Sequence, residues 1–291
     1  MEAPGTLLRR HGLRPKKTWG QNFLADPSVL AGLAAACGAE PDGTIVELGA
    51  GLGHLTDALL ATGARVVAVE RDREVAAVLR DVLGGRPRLT VVEANAACVS
   101  IAQLAGGPAI VAGNLPYHLT TPILFHLLEQ RLDIPRIVLT LQAEVVERLA
   151  ARPGGSGRGV LSVQTQALCE VEPLFPISAE AFHPRPAVGS AAVRLTPLPR
   201  PRAELAGTPI FARVVRAAFG QRRKTLANAL SGGGLPQVRE ALVAAAIDGT
   251  RRAETLSTEE FGRLAAVFAG GSPGSCREPA SRSPPSASTP K

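Results

Sequence analysis

The sequence predicts an α/β protein: a doubly wound, mostly parallel sheet followed by a small C-terminal all-α domain. Three observations predict it. Short apolar runs alternate with stretches of helical spacing between residues 27 and 150. A glycine-rich turn joins the first of these runs directly to a helical stretch. Beyond a proline-rich break at 197–201 (PLPRP), only helical spacing remains.

The strands are expected at 44–48 (TIVEL), 65–70 (RVVAVE), 89–92 (LTVV), 109–112 (AIVA) and 136–141 (RIVLTL). Each is short, rich in β-branched residues, and bounded by Gly, Pro or charge. Helical spacing marks 27–37, 54–62, 72–83, 120–131 and 142–150, with Asp72 placed to cap the third. Residues 160–172 and 187–196 read as further strands at the far edge of the sheet. The helices after the break fall at 208–219, 222–231, 236–246 and 258–269. This divides the chain into a flexible start at 1–13, a sheet domain at 14–200 and a helical domain at 201–270. The tail at 271–291, dominated by Ser and Pro, has too little apolar surface to offset its chain entropy and is expected to be disordered.

The chain of 291 residues suits one large or two modest domains, and no run of 18 or more apolar residues is available to span a bilayer. Four scattered cysteines without a C-x-x-C pair indicate neither a disulfide framework nor a zinc site. The five histidines lack ligand spacing, so no metal is expected, and the protein reads as cytoplasmic. The net charge of +7 is unevenly spread. Residues 25–150 hold 14 acids against 9 arginines, while the rest holds 23 bases against 11 acids. Basic flanks around an acidic segment suit a polyanionic partner, although charge alone leaves a solvated Arg-rich surface equally open.

The turn after the first strand reads Glu47-Leu-Gly49-Ala-Gly51-Leu-Gly53. Glycines let the backbone turn tightly and approach a ligand closely. A dinucleotide fingerprint requires a sixth-position glycine, and His54 stands there instead. A ligand without a pyrophosphate fits this loop better, and S-adenosylmethionine is one. Glu70 closes the second strand, where a carboxylate can accept hydrogen bonds from both ribose hydroxyls. Alone, each feature is compatible with an ordinary turn or an exposed strand end; together they point to a nucleotide-like cofactor.

Residues 114–117 (NLPY) follow the fourth strand, at the sheet edge where ligands of open parallel sheets bind. In isolation such a stretch is a common turn. In this setting the Asn114 side-chain oxygen and a main-chain carbonyl around Leu115 and Pro116 could accept both hydrogens of an adenine N6 amine. That would draw its delocalised lone pair toward an electrophilic methyl group. Tyr117 would offer a stacking face for the base.

Several further segments occur in order: WGQNFL at 19–24, LQAEVVERL at 141–149, FHPRPAVGS at 182–190 and FGQRRKTL at 219–226. With NLPY they closely resemble the KsgA/RsmA family of small-subunit ribosomal RNA adenine dimethyltransferases, over roughly residues 14–269. The resemblance implies a Rossmann-like methyltransferase sheet domain and a helical domain. It implies transfer of methyl groups from S-adenosylmethionine, leaving S-adenosylhomocysteine, to two adjacent adenosines in the 3′-terminal hairpin of 16S RNA within an immature 30S subunit. Residue by residue, it implies that Asn22 and Leu24 close the cofactor pocket, with Gly49 and Gly51 at the methionine part and Glu70 at the ribose. Asn95 would sit beside the adenine, where the family usually has Asp. Asn114, Leu115, Pro116 and Tyr117 form the catalytic motif, and Phe182 packs on the everted base.

Arg14, Lys16, Lys17, Arg222, Arg223 and Lys224 are candidate phosphate contacts, the last three expected to open a helix. A monomer is expected. A large-subunit adenine methyltransferase of the macrolide-resistance type is the alternative enzyme. A non-enzymatic assembly or transcription factor on the same fold is the alternative outside catalysis, disfavoured by the intact 114–117 motif.

Overall fold

A computed structural model describes residues 1–221 and 223–270, with Lys17 described by its backbone alone. The tail expected at 271–291 and Arg222 lie outside the described residues. The chain begins with α1 (Pro4–Arg10), β1 (Phe23–Leu24) and α2 (Pro27–Cys37), followed by β2 (Thr44–Leu48), α3 (His54–Leu60), β3 (Arg65–Glu70), α4 (Arg73–Leu83) and β4 (Leu89–Glu93). Next come α5 (Ile101–Ala105), β5 (Ile110–Asn114), α6 (Thr120–Glu129), β6 (Ile137–Gln142), α7 (Ala143–Ala150) and α8 (Val160–Leu168). The sheet portion closes with β7 (Cys169–Ile177), β8 (Phe182–His183) and β9 (Ser190–Pro197). The C-terminal helices are α9 (Pro209–Phe219), α10 (Leu226–Gly232), α11 (Val238–Ala244) and α12 (Thr258–Phe268).

The main sheet has the order β4-β3-β2-β5-β6-β9-β7. Its first five strands are parallel, and β9 and β7 add an antiparallel edge. Strand order reverses between β2 and β5, and a cleft at such a switch point opens at the strand C-termini. The inner parallel strands β3, β2, β5 and β6 are buried on both faces, which explains their continuous apolar runs, while β4 at the edge is only partly covered. Val46, Val67, Val111 and Leu139 face one core. Their neighbours Ile45, Val66, Ala112 and Val138 face the other, beside Leu30 and Leu33 of α2 and Leu55 and Leu59 of α3. Phe211, Leu226, Leu230 and Phe261 of the C-terminal helices join the first of these cores, so the helical region and the sheet share one apolar interior.

Three expectations are corrected. Residues 1–13 are not wholly loose: α1 starts at Pro4 in its first turn and buries Leu7 and Leu8 against Phe23, Leu52, Val75 and Val78. Residues 160–168 are helical, and the strand begins only at Cys169. In α8, Leu161, Ser162, Val163, Thr165, Ala167 and Leu168 are all buried, because the helix packs among α7, α9, α12 and β7. A helix covered on most sides loses its amphipathic stripe, and its buried 161/163/165/167 positions imitate strand alternation. Finally, Arg223 and Lys224 sit in a turn before α10, which starts at Leu226, so they do not open the helix.

Candidate active site

The chain turns out of β2 into α3 through three glycines with positive φ: Gly49 at 72°, Gly51 at 56° and Gly53 at 91°. At Gly53 an added Cβ would lie 2.4 Å from Leu79 Cδ1, so this position has neither the backbone angle nor the space for a side chain. Val69 O accepts the N–H groups of Gly49 and Ala50, which stitches the loop to the end of β3. Gly51 N–H donates to Glu70 Oε2 and Asp72 N–H to Glu70 Oε1, both at 2.8 Å. Each Glu70 oxygen thus holds one backbone donor and keeps further acceptor capacity. Burial pushes the Glu70 carboxyl above its ordinary pKa, against the pull of the backbone amides.

A cavity of about 240 Å³ opens here, lined by residues including Trp19, Asn22, Leu24, Glu47, Gly49, Gly51, Glu70, Arg71, Asn95, Asn114, Leu115, Pro116 and Tyr117. Every residue expected at the cofactor, and the whole 114–117 motif, borders this one space. Asn114 ends β5, next to Leu48 and Gly113 of the switch point. Its Nδ2 donates to the Asn22 carbonyl at 2.9 Å. Only the nitrogen of an amide can donate to a carbonyl, so this bond fixes the side-chain flip and leaves Oδ1 as an acceptor. Asn22 itself is placed by the β1–β8 ribbon, in which Leu24 pairs with Phe182 and Phe23 with His183. The Pro116 carbonyl is taken by Leu119 N–H at 2.9 Å, while among the described residues no hydrogen-bond donor reaches the Leu115 carbonyl. Asn95 Oδ1 accepts Ala97 N–H at 3.1 Å, which shapes the loop after β4 and still leaves a second lone pair.

Other expected residues lie differently. Phe182 does not border the cavity; it is 5% exposed and packs with Leu24, Leu30 and Leu33. Lys16 is not a free cation: its Nζ donates to Asp72 at 2.9 Å and Glu74 at 2.7 Å, and the Asp72 bond foremost raises its pKa. It ties the N-terminal segment to the start of α4, a role its sequence neighbours could not reveal. Arg14, Arg223 and Lys224 are exposed. Lys17 contributes its backbone to a 3₁₀ turn ending at Trp19.

Three residues without an assigned role emerge. Glu47 is 1% exposed at the cavity wall, its carboxylate accepting the Thr56 hydroxyl at 2.5 Å. Burial, reinforced by the Glu70 charge, pushes its pKa to about 8. The signal was a lone acid inside an otherwise apolar strand. Arg158 is 2% exposed and donates to Leu256 O, Ala151 O, Gln166 Oε1 and Thr258 Oγ1, so it bolts the α7–α8 loop to the approach of α12. Nothing local in the sequence marked it as buried. Ser190, at the end of the FHPRPAVGS segment, meets the Tyr117 hydroxyl at 2.8 Å. Among the described residues no group of three or more His, Cys, Asp or Glu could hold a metal ion, and no helix is long and apolar enough to cross a membrane.

Comparison with known proteins agrees with this geometry. The family model described as "Ribosomal RNA adenine dimethylase" matches residues 12–269. The "Ribosomal RNA small subunit methyltransferase A" of Myxococcus xanthus is 51% identical over 269 residues, covering 91% of this chain and 94% of that protein. The protein of the same name from Moorella thermoacetica is 43% identical, covering 89% and 94%. Among solved structures, the 23S rRNA methyltransferase ErmE is 29% identical with a TM-score of 0.65, covering 85% of this chain and 99% of that one. A dimethyladenosine transferase from Plasmodium falciparum shares the fold at a TM-score of 0.69 and 22% identity, covering 85% and 98%. Matched by that family model along nearly its whole described length, and by a relative at 51% identity over 91% of the chain, the protein belongs to the ribosomal RNA adenine dimethylase family.

Proposed function

We propose that the protein uses S-adenosylmethionine to dimethylate the N6 amines of two adjacent adenosines in the 3′-terminal hairpin of small-subunit ribosomal RNA, acting as a cytoplasmic monomer on an immature 30S particle. The observation that carries the reading is the Asn114 carboxamide at the cavity wall, whose Nδ2 is committed to Asn22 and whose Oδ1 has no hydrogen-bond partner among the described residues. The residues present fit the donor. Glu70 offers two preorganised oxygens for ribose hydroxyls, the 49–53 loop leaves room for the methionine part, and Asn22, Leu24 and Asn95 border the remaining wall. When bound, the donor supplies a sulfonium-activated methyl carbon.

The chain's own residues orient the acceptor. Asn114 Oδ1 and the Leu115 carbonyl take the two N6 hydrogens and return lone-pair density to the nitrogen. Pro116, lacking an N–H, cannot compete for either oxygen. Tyr117 provides the stacking face, and single-base stacking is worth about 1–3 kcal/mol against the cost of everting the base. Phe182 supports Leu24, at the cavity wall, through the β1–β8 pairing. The amine becomes acidic once methylated, so no strong base is required. Arg14, Arg223 and Lys224 remain the exposed phosphate contacts, on a sheet unit and a helical unit divided near residue 200. Relatives named for the small subunit reach 51% identity, whereas the large-subunit enzyme ErmE stands at 29%, which favours the small-subunit substrate.

Labelled donor incubated with immature 30S and 50S particles tests this. Label in small-subunit RNA is expected, and label confined to large-subunit RNA, or none, would overturn it. Asn114→Ala is expected to lower methyl transfer about 100-fold or more, with folding retained.

A further inference from the structure

We propose that Ser190 is a positioning residue for the methyl transfer, its hydroxyl holding the Tyr117 ring beside the Asn114 carboxamide. The inference rests on the proposed function above. Its basis is an asymmetry in how the two hydroxyls are mounted. Ser190 is 2% exposed and starts β9, where its backbone pairs with Gln142 of β6 on one side and Ile177 of β7 on the other. The preceding Gly189 carbonyl accepts Ala143 N–H at 3.1 Å. Three strands and the start of α7 therefore fix this hydroxyl. Tyr117 rides on a short 3₁₀ turn, Tyr117–Leu119, whose Leu119 N–H closes on Pro116. Such a turn is a softer mount than a sheet.

The Tyr117 hydroxyl and Ser190 Oγ lie 2.8 Å apart, and among the described residues neither side chain has another hydrogen-bond partner. A residue between Gly189 and Ala191 needs only small volume, which alanine would supply. A buried serine there would leave its hydroxyl unpaired without Tyr117. The sheet thus reaches across to the turn and limits the ring's tilt. An aromatic face that must hold an adenine in line for attack gains from this, because misplacement by a fraction of an ångström costs rate. The effect belongs to kcat: the ring that binds the base is still present without the bond, but its orientation is not held.

The test is a double-mutant cycle on the full chain with Ser190→Ala, Tyr117→Phe and both together. Each single variant is expected to lower kcat about two- to tenfold, the span of one hydrogen bond, with the KM for the methyl donor within about twofold. The double variant is expected to be no slower than the slower single one, since both remove the same bond. An unchanged kcat in Ser190→Ala, losses that multiply in the double variant, or a loss confined to donor affinity would each overturn the proposal. Tyr117 is the chain's one tyrosine, so tyrosine labelled at the ring Cζ gives a single NMR resonance. That resonance is expected to move in Ser190→Ala. A resonance that stays put overturns the proposal whether or not the protein methylates RNA. A wild-type protein with no methyl transfer but a resonance that moves would instead overturn the function.

Discussion

Replacing Glu47 with Gln should remove a proton from the cofactor equilibrium. The Glu47 carboxyl is fully buried, bonded to Thr56 and near Glu70, and its pKa stands at about 8 against 4.5 for the free group. At pH 7 it is therefore mainly neutral in the empty site. A ligand carrying net positive charge favours the ionised form, so binding should expel this proton below pH 8. In the limit where binding requires the ionised acid, affinity falls about tenfold per pH unit below 8, and flattens above it. The same group affects folding with a definite sign. Its folded pKa is raised, so its stabilising contribution is complete below pH 4.5 and is lost as pH rises through about 8. Calorimetry of donor binding in two buffers of different ionisation enthalpy, from pH 6 to 8.5, measures the released proton directly. Wild-type protein should release close to one proton near pH 7 and Glu47→Gln none, with a flat affinity profile. Proton release that persists in Glu47→Gln, or a flat wild-type profile, would refute the reasoning.

Four other outcomes follow from the geometry. Arg158→Met should orphan the Leu256 carbonyl and Gln166 Oε1, costing about 2–4 kcal/mol; a thermal midpoint unchanged to within about one degree would contradict it. Gly53→Ala forces a Cβ to within 2.4 Å of Leu79 and 2.9 Å of Leu83 at φ 91°. It should cost about 2–4 kcal/mol and weaken donor binding, read by denaturant melts and by titration. Charge removal at Arg223 and Lys224 together should lessen the salt dependence of RNA affinity by about 1.5 in log–log slope; Lys16→Gln should lower stability and leave that slope alone.

The parallel sheet was legible because its inner strands are buried on both faces and cut off by Gly, Pro or charge, as in TIVEL and RVVAVE. Glu70 and Asn114 were legible for a related reason: strand ends at a switch point are where a ligand must sit, and both residues occur there by chain position alone. What escaped depends on contacts between distant segments. The alternation at 160–168 imitates a strand because neighbours from both halves of the protein cover α8. Lys16 reads as free until Asp72, 56 positions on, is folded against it. Arg158 has no carboxylate near it in sequence and none as a direct partner in space, so a buried guanidinium bonded to neutral oxygens has no signature to read. Phe182 was found by motif, but its burial behind Leu24 is a property of the β1–β8 ribbon and not of its neighbours.

That ribbon also constrains the order of events on the ribosome. Phe23 and Leu24 acquire strand partners only at His183 and Phe182, and Ala25 N–H bonds to the Ala181 carbonyl. The Asn22 carbonyl that aims Asn114 hangs from this clasp. A nascent chain can therefore assemble its first four parallel strands well before the clasp closes. The placement of Asn114 must wait until synthesis has carried residue 183 clear of the exit tunnel.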